Sequence, residues 1–395
     1  MNKHILNTDI QNFINENLGS DIMSIVLKKQ LFKEVSQKEL VQQIESKKKC
    51  QKKLPTWFST EAIYYPKKLN VEQTSSEITA HYKAQIVNGN SLIDLTGGFG
   101  VDSYFFSKLF NEVYYCEINA ELAQIAAYNH KILGAKNIQS IPKDGISFLC
   151  DKTKKFDCIY LDPSRRNDVK GKVFQFADCG PNVVLHLDFL FDKSETVLIK
   201  SSPLHDLSYG IKELKNVLEI HVVAVNNEVK ELLWLLNKNY NESILIKTVN
   251  IKKDENQSFE FNYYDEVNAL TDLSLPLNYL YEPNAAILKS GAFKLVSKRL
   301  NVKKLQEHSH LYTSEYLLDF PGRRFLINKI IPYNKAALKS LNLNKANISI
   351  RNFPESVAQI RKKHNIKDGG KVYLFFTRNM ENEKIILKCA KIDAL

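Results

Sequence analysis

Between residues 91 and 249, short apolar runs alternate with stretches of helical periodicity. The runs are Ser91–Leu95, Glu112–Cys116, Asn137–Ile141, Phe156–Leu161, Thr196–Lys200, Glu219–Ala224 and Ser243–Val249. Apolar residues at consecutive positions over so few residues mark strands covered on both faces. Asp102–Phe110 and Ala120–Leu133 read as intervening helices. This alternation predicts an α/β fold with a doubly wound, mainly parallel sheet. The last two runs are separated by Glu228–Asn237, and seven strands are expected in all.

The flanks follow other patterns. Residues 1–85 read as helical. Ser36-Gln-Lys-Glu39 and Thr74-Ser-Ser-Glu77 have the spacing of capping boxes. After the second, Ile78, Tyr82 and Ile86 recur on one helical face. Lys47–Lys53, followed by Pro55, reads as a loop or a solvated helix end. Residues 256–280 read as a polar extension or linker. From Tyr281 onward, strands near Phe325–Ile330, Ala346–Arg351, Lys371–Thr377 and Lys384–Ala390, with a helix over Glu355–His364, predict small α+β modules.

Charge sharpens this division. The 395 residues carry a net charge of +11, unevenly placed. Residues 281–395 hold 22 Lys/Arg against 9 Asp/Glu, whereas residues 86–280 hold 20 against 26. A basic appendage on a mildly acidic body suggests a polyanionic partner. No apolar run approaches the roughly 18 residues of a membrane span, and the polar start lacks a secretory signal. Six cysteines without a C-x-x-C pair predict reduced thiols, no metal site and a cytoplasmic location.

Candidate chemistry begins where the first strand ends, in Asp94-Leu-Thr96-Gly97-Gly98-Phe-Gly100-Val-Asp102. Open α/β sheets bind ligands at the carboxyl ends of their strands. Glycines there let a ligand approach the backbone. A dinucleotide site needs a further glycine three residues after Gly100, and Ser103 stands there instead. An acid four residues before the glycines suits a cationic cofactor better than a pyrophosphate. The D-x-x-x-G-x-G pattern is shared by class I methyltransferases that use S-adenosylmethionine (AdoMet). Glu117, with Ile118 beside it, ends the second strand, where a carboxylate can accept both ribose hydroxyls. Asp144-Gly145 follows the third, where that family places an acid near the adenine amino group. Three acids at three successive strand ends predict an AdoMet site.

The fourth strand ends in Asp162-Pro163-Ser164-Arg165-Arg166. Methyltransferases acting on exocyclic amines resemble one another here through a D/N-P-P-aromatic tetrapeptide. In it an acceptor side chain and a backbone carbonyl orient the amine toward the methyl group, so catalysis is mostly positioning. This chain keeps Asp162 and Pro163 and replaces the rest with Ser164 and Arg165, which become the candidate catalytic set.

Taken together, LTGGFGVD, LDPSRR, EPNAAILKSGAFK, FPGRRF, RNFP and IRKKHNIKDGGKVYLF make residues 60–395 resemble a bacterial class I methyltransferase family related to trimethylguanosine synthase-like RNA guanine-N2 methyltransferases. The resemblance implies a Rossmann-like seven-stranded catalytic domain over 86–255. It implies a ferredoxin-like module over 281–324 and a THUMP-like module over 325–395. It also implies that Gln73 and Thr74 open a helix covering the cofactor, and that the partner is structured RNA (tRNA or rRNA). The residues placed for RNA phosphates are Arg166, Arg323, Arg324, Arg351, Arg361, Lys362, Lys363, Lys371 and Arg378. The expected activity is AdoMet-dependent methylation of a base nitrogen in RNA. The alternatives are a non-catalytic RNA-binding protein on a methyltransferase fold, or methylation of DNA or protein.

Overall fold

The computed structural model describes residues 1–27, 30–165 and 175–392. The chain divides into two compact units, Met1–Leu218 with Glu231–Asn241, and Glu219–Lys230 with Glu242–Leu395.

The first unit is built on β1 (Ser91–Asp94), β2 (Glu112–Cys116), β3 (Ile138–Ile141), β4 (Cys158–Leu161) and β5 (Thr196–Ser201). These pair in parallel in the order β3-β2-β1-β4-β5. Strand β6 (Val217–Val225) crosses the division between the units. Strand β7 (Glu228–Asn237) runs antiparallel to β5 from Ser201↔Leu232 to Thr196↔Asn237. Glu228–Asn237, read from sequence as a spacer, is therefore a strand. Its LLWLL core is buried on both faces, and such a run has neither the helical nor the alternating period.

The helices of this unit include α1 (Gln37–Lys53), α2 (Glu77–Gln85), α3 (Val101–Phe106), α4 (Ala120–Ile132) and α5 (Gly145–Cys150). Helix α1 starts with the expected capping box, Ser36 and Glu39 each bonding the other's backbone N–H. It continues through Lys53 with Lys47 and Cys50 buried, so Lys47–Lys53 is helix and not loop. At α2 the cap is Ser76, not Thr74, and Glu77 reaches away to Thr56. The buried face is also displaced. Thr79, Ala80, Lys83 and Ala84 point inward while Ile78 is exposed. A buried ion pair at Lys83 has set the helix rotation against its apolar pattern.

Residues 1–85 do not form a separate core. Ile5, Ile10, Ile14, Leu40, Ile44 and Trp57 share one apolar cluster with Phe99, Val101 and Tyr104 of the glycine loop and α3, and with Leu122 and Ile125 of α4. Trp57 meets the Tyr104 ring edge-on at 4.9 Å. Asn129 of α4 bonds both backbone groups of Tyr64, at 3.0 and 2.9 Å. Each large side chain buried in this way contributes about 2–3 kcal/mol, so these helices brace the segment that follows β1.

In the second unit, β8 (Leu245–Ile251) runs parallel to β6 and antiparallel to β9 (Gln257–Asn262). The segment read as a linker over 256–280 thus contains a strand, followed by a helix over Tyr263–Asn268. A further sheet comprises β10 (Tyr279–Pro283), β11 (Tyr312–Ser314), β12 (Gly322–Pro332), β13 (Asn347–Ile350), β14 (Val372–Arg378) and β15 (Lys384–Ile392). Its order is β11-β10-β12-β15-β14-β13, with the short strand Lys303–Lys304 outside β11. The α+β modules expected after Tyr281 therefore share one continuous sheet.

Candidate active site

The glycine loop occupies the carboxyl end of β1. Asp94 is 1% exposed. It accepts hydrogen bonds from the Thr96 N–H at 3.0 Å and the Ser103 hydroxyl at 2.6 Å. Burial pushes its carboxyl up to about 7, against those two bonds. Asp94 therefore shapes the loop from within. Gly98 (φ 56°) and Gly100 (φ 80°) both adopt left-handed backbone. A Cβ on Gly100 would lie 2.5 Å from His130 Nε2, whereas a Cβ on Gly98 would meet nothing closer than 3.9 Å. The Gly98 side of the loop is thus open to a ligand. Gly97 N–H is held by Cys116 O at 2.7 Å. Buried His130, whose Nε2 lies 2.9 Å from Gly100 O, is pushed down to about 4 by burial and stays neutral.

The next strand ends converge on this loop. Glu117 receives the N–H groups of Gly98 at 2.8 Å and Asn119 at 2.7 Å. Its two carboxylate oxygens retain lone pairs for further donors. Ile118 beside it is 74% exposed, an apolar surface free to cover a flat ring. Asp144 caps α5 through the Ser147 N–H and is exposed, and Gly145 packs on the backbone of Leu95. Gln73 and Thr74 end the helix Lys68–Gln73. Among the described residues they make no hydrogen bond to the loop, whereas Ser75 bonds Asp102 at 2.9 Å.

The end of β4 is tied to the same loop. Asp162 N–H donates to Thr96 Oγ1 at 2.6 Å, which brings the two sequence motifs side by side. Pro163 is buried, and Ser164–Arg165 pairs with Cys179–Gly180. Arg166 lies outside the described residues.

The sequence patterns assigned no role to Lys200, Lys83 or Glu231. Lys200, at the end of β5, forms an ion pair with the Asp162 carboxylate. Burial works against its charge, but Asp162, Glu231 and Asp102 outweigh it and hold the ammonium above its ordinary range. Lys83, fully buried, bonds both Glu231 oxygens at 2.9 Å and approaches Asp102 at 3.2 Å. Tyr160 donates to Asp102 at 2.8 Å. Burial opposes the charge of Asp102, yet Lys83 and Lys200 keep its carboxyl below the usual range. Asp102, expected at the cofactor, therefore faces an internal network of two ammoniums and three carboxylates. The available signal was Glu231, an acid set directly before the apolar run Leu232–Leu236.

Among the phosphate candidates, several are engaged within the protein. Arg323 and Arg351 share the buried Glu282 carboxylate, Arg351 at 2.7 Å. Arg361 binds Asp368 and the carbonyls of Ala346 and Ile366. Lys363 pairs with Glu355 at 3.1 Å, and Arg378 donates to Asn382 O at 2.7 Å. These contacts support the fold. Lys362 and Lys371 are exposed. Among the described residues no helix is long and apolar enough to cross a membrane, and no cluster suited to a metal ion was found.

A parallel sheet with a left-handed glycine loop after β1, an acid at the end of β2 and Asp-Pro at the end of β4 defines the methyltransferase class. The chain is 33% identical to a protein from Porphyromonas gingivalis W83 described as a "putative methyltransferase". That match covers 99% of both chains with a TM-score of 0.90. The chain belongs to that protein's family. Its C-terminal part matches a ferredoxin-like domain over residues 279–321 and a THUMP domain-like family over 322–391. Partial likenesses include a Streptococcus mutans protein described as "a putative methyltransferase", in complex with SAH (17% identity, 41% of this chain and 96% of that one, TM-score 0.31). Another is an rRNA methylase from Streptococcus thermophilus (15% identity, 42% and 98%, TM-score 0.29). No curated protein matches the chain.

Proposed function

We propose that the chain is an AdoMet-dependent methyltransferase acting on a base nitrogen in structured RNA. The observation carrying this reading is the Thr96–Asp162 hydrogen bond, which joins an open glycine loop to a polar acceptor at the end of β4. The residues present fit AdoMet. Gly98 leaves room for close approach, Glu117 offers acceptors to a diol, and Ile118 offers an apolar face. When bound, AdoMet supplies an electrophilic methyl group. The chain's own task is then positioning. Lys200 occupies Asp162 Oδ2, leaving Oδ1 and neighbouring backbone to accept from a substrate N–H and aim the nitrogen lone pair. A lysine held in its charged form cannot remove a proton, so Lys200 acts by fixing Asp162.

The basic C-terminal segment and its THUMP-like family support an RNA substrate. The test is transfer of tritiated methyl from AdoMet to total RNA, DNA and protein in parallel, with nuclease controls. RNA labelling that Asp162→Ala abolishes is the expected result. Calorimetry showing that the folded protein binds neither AdoMet nor SAH would overturn the reading at its first step.

A further inference from the structure

Residues 335–371 of the second unit hold nine Lys/Arg against two acids. Both acids are taken, Glu355 by Lys363 and Asp368 by Arg361. Arg351 is neutralised by Glu282. Arg324, earlier in the chain, is also spent, being 10% exposed and ion-paired with Asp319 at 3.7 Å. The remaining six cations of 335–371 are all lysines, and all are exposed. Among the described residues none of the six has an ion-pair partner.

Four of these lysines are brought together by the fold. Lys345 and Lys367 face each other in a parallel bridge. Ala346 N–H donates to Lys367 O at 3.0 Å, and Lys367 N–H donates to Asn344 O at 2.9 Å. Bridge partners send their side chains to one face, where opposed like charges destabilise the pairing. The turn leading to Lys371 is fitted to the Lys345 stem. Gly369 (φ 94°) and Gly370 (φ 87°) are left-handed, and a Cβ on Gly369 would lie 3.0 Å from Lys345 Cε. Asn347 Nδ2 holds Gly370 O at 2.7 Å. Lys362 lies on the helix Val357–His364, which Arg361 anchors to the same segments through Ala346 O and Ile366 O, both at 3.2 Å. The fold therefore gathers Lys345, Lys362, Lys367 and Lys371 at a cost in repulsion that nothing within the described chain offsets. Exposed ammoniums on an open face suit a row of phosphates.

The aromatic residues decide which kind of strand is suited. Single-stranded nucleic acid is held by stacking its bases on exposed rings. Phe353, the one aromatic residue in 335–371, packs between Tyr333 and Phe376, and the adjacent Tyr373 packs on Phe325. Cations without a stacking platform match a duplex, whose bases are hidden and whose phosphates are displayed.

We propose that this face docks on the phosphate backbone of a double-stranded stem in the RNA substrate, through Lys345, Lys362, Lys367 and Lys371. The proposal rests on the RNA reading above, and the experiment separates the two. Full-length protein is titrated into a fluorescein-labelled RNA duplex of about 16 base pairs, and into one of its single strands, across a salt series. AdoMet calorimetry runs alongside. Lys345→Gln/Lys367→Gln/Lys371→Gln changes only exposed side chains and relieves repulsion, so it should melt no lower than the wild type. It is expected to bind the duplex about tenfold or more weakly and to lower the slope of log affinity against log salt by about 3. Lys362→Gln should lower that slope by about 1. Lys131→Gln/Lys136→Gln/Lys155→Gln removes the same charge from exposed positions on the first unit and should leave the slope nearly unchanged. AdoMet binding should be unaltered throughout. A wild type that binds RNA, with an equal loss of slope in both triple variants or in neither, overturns the proposal alone. Tighter binding of the single strand than of the duplex also overturns it. A wild type that binds AdoMet but neither RNA removes the RNA reading and the proposal with it.

Discussion

Asp94 shows how far a motif residue can differ from the role its position suggests. The sequence places an acid ahead of the glycines, and charge complementarity with a sulfonium is the natural reading. The structure buries that acid against Thr96 and Ser103 and raises its carboxyl to about 7. Between pH 4 and 7 the folded chain therefore keeps a proton that the unfolded chain has released. With more protons on the folded state, stability falls as pH rises through that window. The full effect is about 4 kcal/mol at 1.36 kcal/mol per unit. Asp94→Asn resembles the protonated acid, and the Ser103 hydroxyl can turn to accept from it. Urea unfolding at pH 4.5 and 7.5 is expected to show the variant gaining on the wild type at the higher pH. Equal differences at both pH values would show that Asp94 is not the titrating group. Lys200 belongs to the same scale. Lys200→Met should lower the single-turnover methyl-transfer rate about 100-fold by releasing Asp162, while Lys200→Arg restores part of it and AdoMet affinity stays within threefold. Asp94, Glu117 and Asp162 were legible because strand ends are visible in sequence. Lys83 and Glu231 were not, because their pairing spans 148 residues.

Helix α2 carries the corresponding lesson for elements. Its apolar spacing placed Ile78, Tyr82 and Ile86 together on one face. The helix instead turns Lys83 inward, where Glu231 and Asp102 satisfy it. An ionic contact made by tertiary structure has overridden a local pattern that was weak to begin with. Removing one partner strands a buried charge, so Lys83→Met should cost about 3–5 kcal/mol in urea unfolding. Lys83→Met with Glu231→Gln should recover part of that loss, since the remaining charge is then reduced. A double variant no more stable than Lys83→Met would mean that the pair is not coupled. Strands fared better than this helix. The strand runs from Ser91 to Ser201 were read with ends correct to within about two residues; β1 and β4 are buried on both faces and leave an unbroken apolar signature, whereas β2 and β3 are only partly buried. The same signature concealed β7, where an unbroken run was counted as a spacer.

At the scale of the whole molecule, the most consequential feature is the core shared by residues 1–85 and the helices that hold the glycine loop. Composition separated this segment from the sheet that follows, because its helical spacing ends where the strand runs begin. Packing joins them. Leu40, Ile44 and Trp57 share one apolar cluster with Phe99, Val101 and Tyr104, Trp57 meets the rings of Phe99 and Tyr104, and the Asn129 side chain bonds the backbone of Tyr64. Deleting residues 1–60 would leave Val101, Tyr104, Leu122 and Ile125 facing water, with no element of the remaining apolar cluster large enough to replace Trp57. Each such exposure costs about 2 kcal/mol or more, against a typical total stability of about 5–15 kcal/mol. The truncated protein is therefore expected to lose cooperative unfolding and AdoMet binding together, measured by circular dichroism melting and calorimetry. A truncated chain that melts cooperatively and binds AdoMet at wild-type affinity would show the N-terminal helices to be an accessory domain. If both properties are lost, the helices belong to the catalytic body, and the loop from Asp94 to Asp102 depends for its geometry on residues far ahead of it in the chain.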